Sequence, residues 1–243
     1  MKKAAIAAAL ITAFPSVGHA EKWEKVISLY GWVPGLDVSI GTGFGDFESS
    51  PSGGDILSNL DMVFMGTFEG HKGRWGIVKD MLYVDLSESK STPLGVLFAN
   101  GKATVKVLAA SGYVTYMFHE SRTASYELAA GVRYFELDTK LALSAGTLPA
   151  RTNVLKSDWF DPVIGIRGRW QIADKWSASA FADYGGFKGS SETWQVLGTF
   201  NYSINDNLEA RFGYRHMDIS KTVRGADVDV GLSGPIFGLT YRF

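Results

Sequence analysis

Phe160-Asp161-Pro162-Val163-Ile164-Gly165-Ile166-Arg167-Gly168-Arg169-Trp170-Gln171-Ile172 is the stretch whose reading decides the fold. Its even positions are Phe160, Pro162, Ile164, Ile166, Gly168, Trp170 and Ile172, and its odd positions are Asp161, Val163, Gly165, Arg167, Arg169 and Gln171. A period of two belongs to a β-strand, whose side chains alternate between faces. One face of this strand is therefore greasy and the other charged. It is also longer than the roughly 9–11 residues with which a tilted strand crosses hydrocarbon.

The same split recurs along the chain. Trp194, Val196, Gly198, Phe200, Tyr202 and Ile204 alternate with Gln195, Leu197, Thr199, Asn201 and Ser203. Leu208, Ala210, Phe212 and Tyr214 oppose Glu209, Arg211, Gly213 and Arg215, and Leu128, Ala130, Val132 and Tyr134 oppose Glu127, Ala129, Gly131 and Arg133. Around Ile77 to Leu86 and Val105 to Phe118 the alternation is blurred by Lys79, Asp80 and Lys106, and no face is assigned there. Turn chemistry divides the chain into about ten strands: roughly 23–33, 62–71, 74–86, 102–118, 123–138, 158–172, 175–186, 192–204, 207–220 and 227–243. Eight or twelve are the alternatives, since Leu36 to Gly41 could also pair. Tight turns at His71-Lys72-Gly73, His119 to Arg122, Ala173-Asp174 and Asn205-Asp206 alternate with longer loops at 34–61, 87–101, 139–157, 187–191 and 221–226. This alternation predicts an all-β fold, a closed antiparallel up-and-down transmembrane barrel.

The N-terminus agrees with export. Lys2 and Lys3 precede an apolar run from Ala4 to Phe14, and Gly18-His19-Ala20 supplies small residues for cleavage, so 1–20 reads as a signal peptide and 21–243 as the barrel. No stretch approaches the roughly twenty apolar residues of a spanning helix. There is no Cys, which excludes disulfides, thiolate chemistry and a lipid-anchoring cysteine. Without Lys2 and Lys3 the chain has 22 basic against 25 acidic side chains, a formal charge of −3, and no long basic run. Nucleic acid is thereby excluded as a partner.

All seven Trp residues (23, 32, 75, 159, 170, 176 and 194) lie within a few positions of a predicted strand end, as interfacial belts require. The final stretch Gly234-Pro235-Ile236-Phe237-Gly238-Leu239-Thr240-Tyr241-Arg242-Phe243 puts Phe237, Leu239, Tyr241 and Phe243 on one face. It resembles the C-terminal assembly signal of bacterial outer-membrane barrels. Over 21–243 the pattern is similar to small porin-like and OmpA-transmembrane-like outer-membrane proteins of Gram-negative bacteria, and Leu29 to Gly35 and Asp183 to Phe187 resemble segments of proteobacterial members. The resemblance implies residence in the outer membrane among lipid and lipopolysaccharide, and handling by the barrel-assembly machinery during biogenesis. It implies no activity. A monomer is the default expectation.

The inward faces collect Glu69, Glu127, Arg133, Asp161, Arg167, Arg169, Asp183, Glu209, Arg211 and Arg215, charges too costly to face lipid. Two readings stay open. These residues either line a narrow pore whose arginines favour anions, or pair across the lumen and plug it. His216 and Asp218 are the candidates for catalysis, yet parity with Phe212 and Tyr214 puts them on the lipid side. No enzyme activity, cofactor or metal is expected. The first long loop carries Asp46, Glu48, Asp55 and Asp61 without the spacing of a calcium site. A short helix is expected there from Asp55 to Leu60, with Asp55 as its cap, and the loop is the natural seat of any surface binding or adhesion.

Overall fold

The computed structural model describes residues 23–42, 45–50, 52–58, 60–91, 98–223 and 226–243. The expected signal peptide lies outside them. In chain order the elements are β1 (Glu24–Trp32), β2 (Gly35–Thr42), β3 (Gly45–Ser49), α1 (Gly53–Ser58), β4 (Leu60–Lys72), β5 (Trp75–Ser91) and β6 (Phe98–Glu120). Then follow β7 (Ala124–Ala145), β8 (Arg151–Ala173), β9 (Trp176–Lys188), β10 (Ser191–Ser203), β11 (Leu208–Val223) and β12 (Ala226–Arg242).

Ten strands, β1 and β4 to β12, pair antiparallel in sequence order, and β1 pairs with β12 to close the barrel. The expected strand number holds, and β2 and β3 stand outside the closed wall. β2 prolongs β1: Trp32 faces Ile236 and Gly35 faces Ser233 on β12, in one uninterrupted register. Pro34, which has no N–H to donate, breaks the ribbon there, while the Val33 amide still donates to the Pro235 carbonyl at 3.1 Å. β3 then folds back along β2, with Val38 opposite Ser49.

The first loop is thus mostly strand, which corrects the expectation of an irregular 34–61 segment. Its helix begins at Gly53, and the cap is Ser52 rather than Asp55. The Ser52 hydroxyl accepts from the Asp55 amide at 3.3 Å, and the Asp55 carboxylate accepts from the Ser52 amide at 3.0 Å. That reciprocal arrangement is a capping box, with an acidic residue at its third helical position.

The expected loops at 87–101 and 139–157 are likewise largely strand. β6, β7 and β8 run for 23, 22 and 23 residues, against 13 for β9 and for β10. A wall that tall exceeds the bilayer about twofold. β9 ends low in a tight hairpin to β10, where Gly186 has φ 97° and Phe187 φ 40°. A Cβ on Gly186 would lie 2.3 Å from the Ser191 carbonyl oxygen, so only glycine fits. β8 pairs with β9 only as far as Val163, leaving its upper part, Arg151 to Pro162, without a partner on that side among the described residues.

Outward-facing Leu128, Val132, Phe160, Ile164, Ile166, Phe200, Phe212 and Leu239 form the exposed apolar band. A soluble protein does not expose so large a contiguous apolar surface. Phe237, Leu239, Tyr241 and Phe243 all lie exposed on this outer side. The aromatic belts are only partly as expected. Trp75 and Trp176 are exposed outside, but Trp32 and Trp159 are packed inside the barrel.

Candidate functional site in the barrel lumen

All ten charged residues assigned to the inner face lie on it, most of them buried. They are packed in levels. Toward the end that carries the chain termini and tight turns, which is periplasmic in such barrels, Arg167 bridges two carboxylates. Its Nη1 donates to Glu69 at 2.7 Å and its Nη2 to Glu127 at 2.9 Å. Arg169 donates to the same Glu69 carboxylate at 2.6 Å, and His71 approaches Glu127 at 3.4 Å. His71 belongs to β4 and to this inner network, not to a periplasmic turn, because β4 runs through to Lys72 before turning at Gly73.

The next level spans the lumen from wall to wall. Thr67 and Tyr30 donate to Asp80 at 3.0 and 2.6 Å, and Arg215 donates to Asp80, to the Tyr30 hydroxyl and to Gln195 at 3.1, 3.0 and 3.0 Å. Gln195 in turn donates to Asp183, which also accepts from Tyr113 at 2.7 Å and Arg133 at 2.6 Å. Arg133 completes the chain with Ser111, Tyr113 and Thr193 at 3.0, 2.9 and 2.9 Å. Its side chain is 0% exposed. Eight strands contribute to this one connected network. Asp161 stands opposite Arg133 in register, yet it takes its hydrogen bonds from Ser191 at 2.8 Å and the Trp159 indole at 2.9 Å.

Above the network lies an apolar layer of Trp32, Met65, Leu82, Ala109, Phe135, Met217, Ile219 and Ile236, with the Trp159 ring tilted against Phe135 at 5.0 Å between ring centres. The Arg215 guanidinium sits 4.9 Å from the centre of the Trp32 ring and joins the two levels by a cation–π contact. Reasoning from sequence missed Tyr30, His71, Asp80, Tyr113, Thr193 and Gln195 as members of the network. The usable signal was parity: Asp80 shares its face with Val78 and Leu82, and Tyr113 with Ser111 and Thr115.

Structures already solved share this architecture. The outer membrane protease OmpT from Escherichia coli superposes with a TM-score of 0.59 at 8% identity, over 94% of this chain and 99% of that one. OprG from Pseudomonas aeruginosa gives 0.40 at 11% identity over 93% and 98%, and Ail of Yersinia pestis gives 0.39 at 9% over 92% and 99%. The chain has the fold of an outer-membrane β-barrel. No family model matches it, and no curated protein matches it in sequence. At 8% identity the barrel's likeness to a protease conveys fold and not chemistry.

The two residues singled out for catalysis lie on the barrel's outer side. The His216 ring packs 4.6 Å from Trp194, with its Nδ1 bonded to the Ser233 hydroxyl. Asp218 is its neighbour along β11, beside Gly231 on β12. No hydrogen bond joins His216 to Asp218. Among the described residues no three His, Cys, Asp or Glu side chains gather into a possible metal site.

Proposed function

We propose that this barrel is a plugged envelope protein that acts through the surface it presents outside the cell, and not a passive diffusion pore. The observation that carries the reading is Arg133: a guanidinium with 0% side-chain exposure, hydrogen-bonded across the lumen, beneath an apolar layer. An aqueous pathway needs a column of water past both levels. A buried arginine held by four partners and a layer containing Trp32, Phe135 and Met217 support the reading that such a column is interrupted.

The outward surface supports the second half of the reading. β5 to β8 form a tall wall on one side of the mouth, and β2, β3, β11 and β12 form another. On the outer face of the tall wall, Asp85, Lys106, Asp138 and Lys156 are successive cross-strand neighbours of alternating sign. Lys106 pairs with Asp85 and Lys156 with Asp138. Such a ladder belongs in the headgroup zone, which in the outer leaflet is lipopolysaccharide. The test is single-channel conductance of the refolded protein in a planar bilayer, after heat-dependent gel mobility has established folding. A silent, folded barrel is expected. Steady discrete openings would restore the pore.

A further inference from the structure

Beneath the apolar layer the lumen contains a cavity of about 80 Å³. That is space for several waters, each of which needs roughly 10–15 Å³ by this measure. Its wall includes four arginines, Arg167, Arg169, Arg211 and Arg215, against two carboxylates, Glu69 and Asp80. Guanidinium groups do not lose their charge in proteins; behind this wall Glu127 on Arg167 and Glu209 beside Arg211 bring the carboxylates to four, so what distinguishes the site is the hydrogen bonding of its cations and not their number.

Three of the four arginines are committed. Arg215 is hydrogen-bonded to Asp80, Arg167 to Glu69 and Glu127, and Arg169 to Glu69. Arg211 is not. Its ion pair with Glu209 measures 3.6 Å, too long for a hydrogen bond, and its Nε is buried without a partner. Arg167 Nε and Thr115 Oγ1 are also buried and unpartnered, on residues that are 8% and 3% exposed and that line the same cavity. Donors left without acceptors in a buried place are costly. Arg211 therefore faces the cavity with guanidinium donors that its carboxylate neighbour leaves unbonded.

We infer that this cavity is a binding site for a small oxyanion of the phosphate or carboxylate class, held chiefly by Arg211 with help from Arg169 and Thr115. A guanidinium offers paired N–H groups that match two oxygens of such an anion. Ile236, a member of the apolar layer, lines the cavity, and Arg169 at the opposite end keeps 34% of its side chain exposed. The anion therefore enters from the periplasm, a direction that rests on the lumen being closed outward.

The test is calorimetric titration of the refolded full-length barrel in a nonionic detergent with inorganic phosphate, ionic strength being fixed with chloride. Saturable binding by the wild type is expected, weakened about tenfold or more in Arg211→Gln, as befits loss of a charge-assisted contact. Thr115→Val, nearly isosteric, is expected to weaken binding several-fold and serves if Arg211→Gln does not refold. Lys221→Gln, above the apolar layer, leaves binding unchanged. Absence of saturable heat in the wild type, or equal binding by the wild type and Thr115→Val or Arg211→Gln, would overturn the proposal and leave a cavity filled with water. Conductance has no part in this readout, so the anion site and the closed barrel fail separately.

Discussion

The lower and upper halves of this barrel are opposite in polarity. In the lower half the charges face in, as with Arg167, Glu69 and Arg133, while Ile164, Leu128 and Phe212 face out. In the upper half the apolar side chains face in, as with Trp32, Leu82, Phe135 and Val230, while Asp85, Lys106, Asp138 and Lys156 face out. The solvent explains the reversal. Hydrocarbon surrounds the lower half and water or headgroups the upper, and each face takes the polarity of what it touches. The barrel is a membrane protein below and resembles an ordinary soluble β-structure above, joined along the same continuous strands.

This contrast can be broken from several directions. The largest effect is expected in the lower lumen. Arg133→Leu strips Asp183 and Tyr113 of their buried cation and is expected to destabilise by about 3–5 kcal/mol, read as a lowered midpoint of denaturant unfolding in lipid vesicles. In the upper lumen Met217→Ala, which only empties apolar volume, is expected to cost about 2–4 kcal/mol in the same assay. Because it leaves no stranded charge, the folded fraction at low denaturant should survive better than in Arg133→Leu.

A sharper comparison puts one substitution at two heights on the outer face of β8. Ile164 and Val154 are 55% and 53% exposed and share that face. Ile164→Lys is expected to cost about 2–4 kcal/mol, as lysine does near the bilayer midplane, whereas Val154→Lys should stay within about 0.5 kcal/mol of wild type. Equal costs would mean that hydrocarbon reaches further up the wall than the charge ladder allows. Smaller again is Lys106→Gln, which removes one rung of the ladder and should cost about 0.5 kcal/mol, declining as salt is raised.

The same reversal governs how much was legible beforehand. Where a stretch of strand lies within the lower half, as Phe160 to Ile172 of β8 or Leu208 to Arg215 of β11, period-two alternation identifies both strand and face, and with them the charged lumen. Strands that cross the boundary exchange their polar and apolar faces partway. In β5, Asp80 points in to Arg215 and Asp85 points out to Lys106, so a single alternation cannot describe the strand. That exchange, together with Lys79, which is exposed on the outer face beside Phe68 and Gly112, is why Ile77 to Leu86 and Val105 to Phe118 read as blurred. It also explains why the upper reaches of β6, β7 and β8 read as loop, and why Trp32 and Trp159 passed for belt residues. That the inward charges could pair across the lumen was legible as one of two readings, but which residues pair was not. The Asp80–Arg215–Gln195–Asp183–Arg133 chain joins members that meet across the barrel from β5, β11, β10, β9 and β7.

The most direct test of the two-level barrel is depth measured at two single labels. Because the chain has no Cys, Ile164→Cys and Val154→Cys each give a unique site for a fluorophore. In vesicles, the label at 164 should be quenched by acyl chains carrying bromine and shielded from iodide, and the label at 154 should behave in the opposite way. Equal quenching of both labels by the brominated chains would contradict a boundary between the two levels.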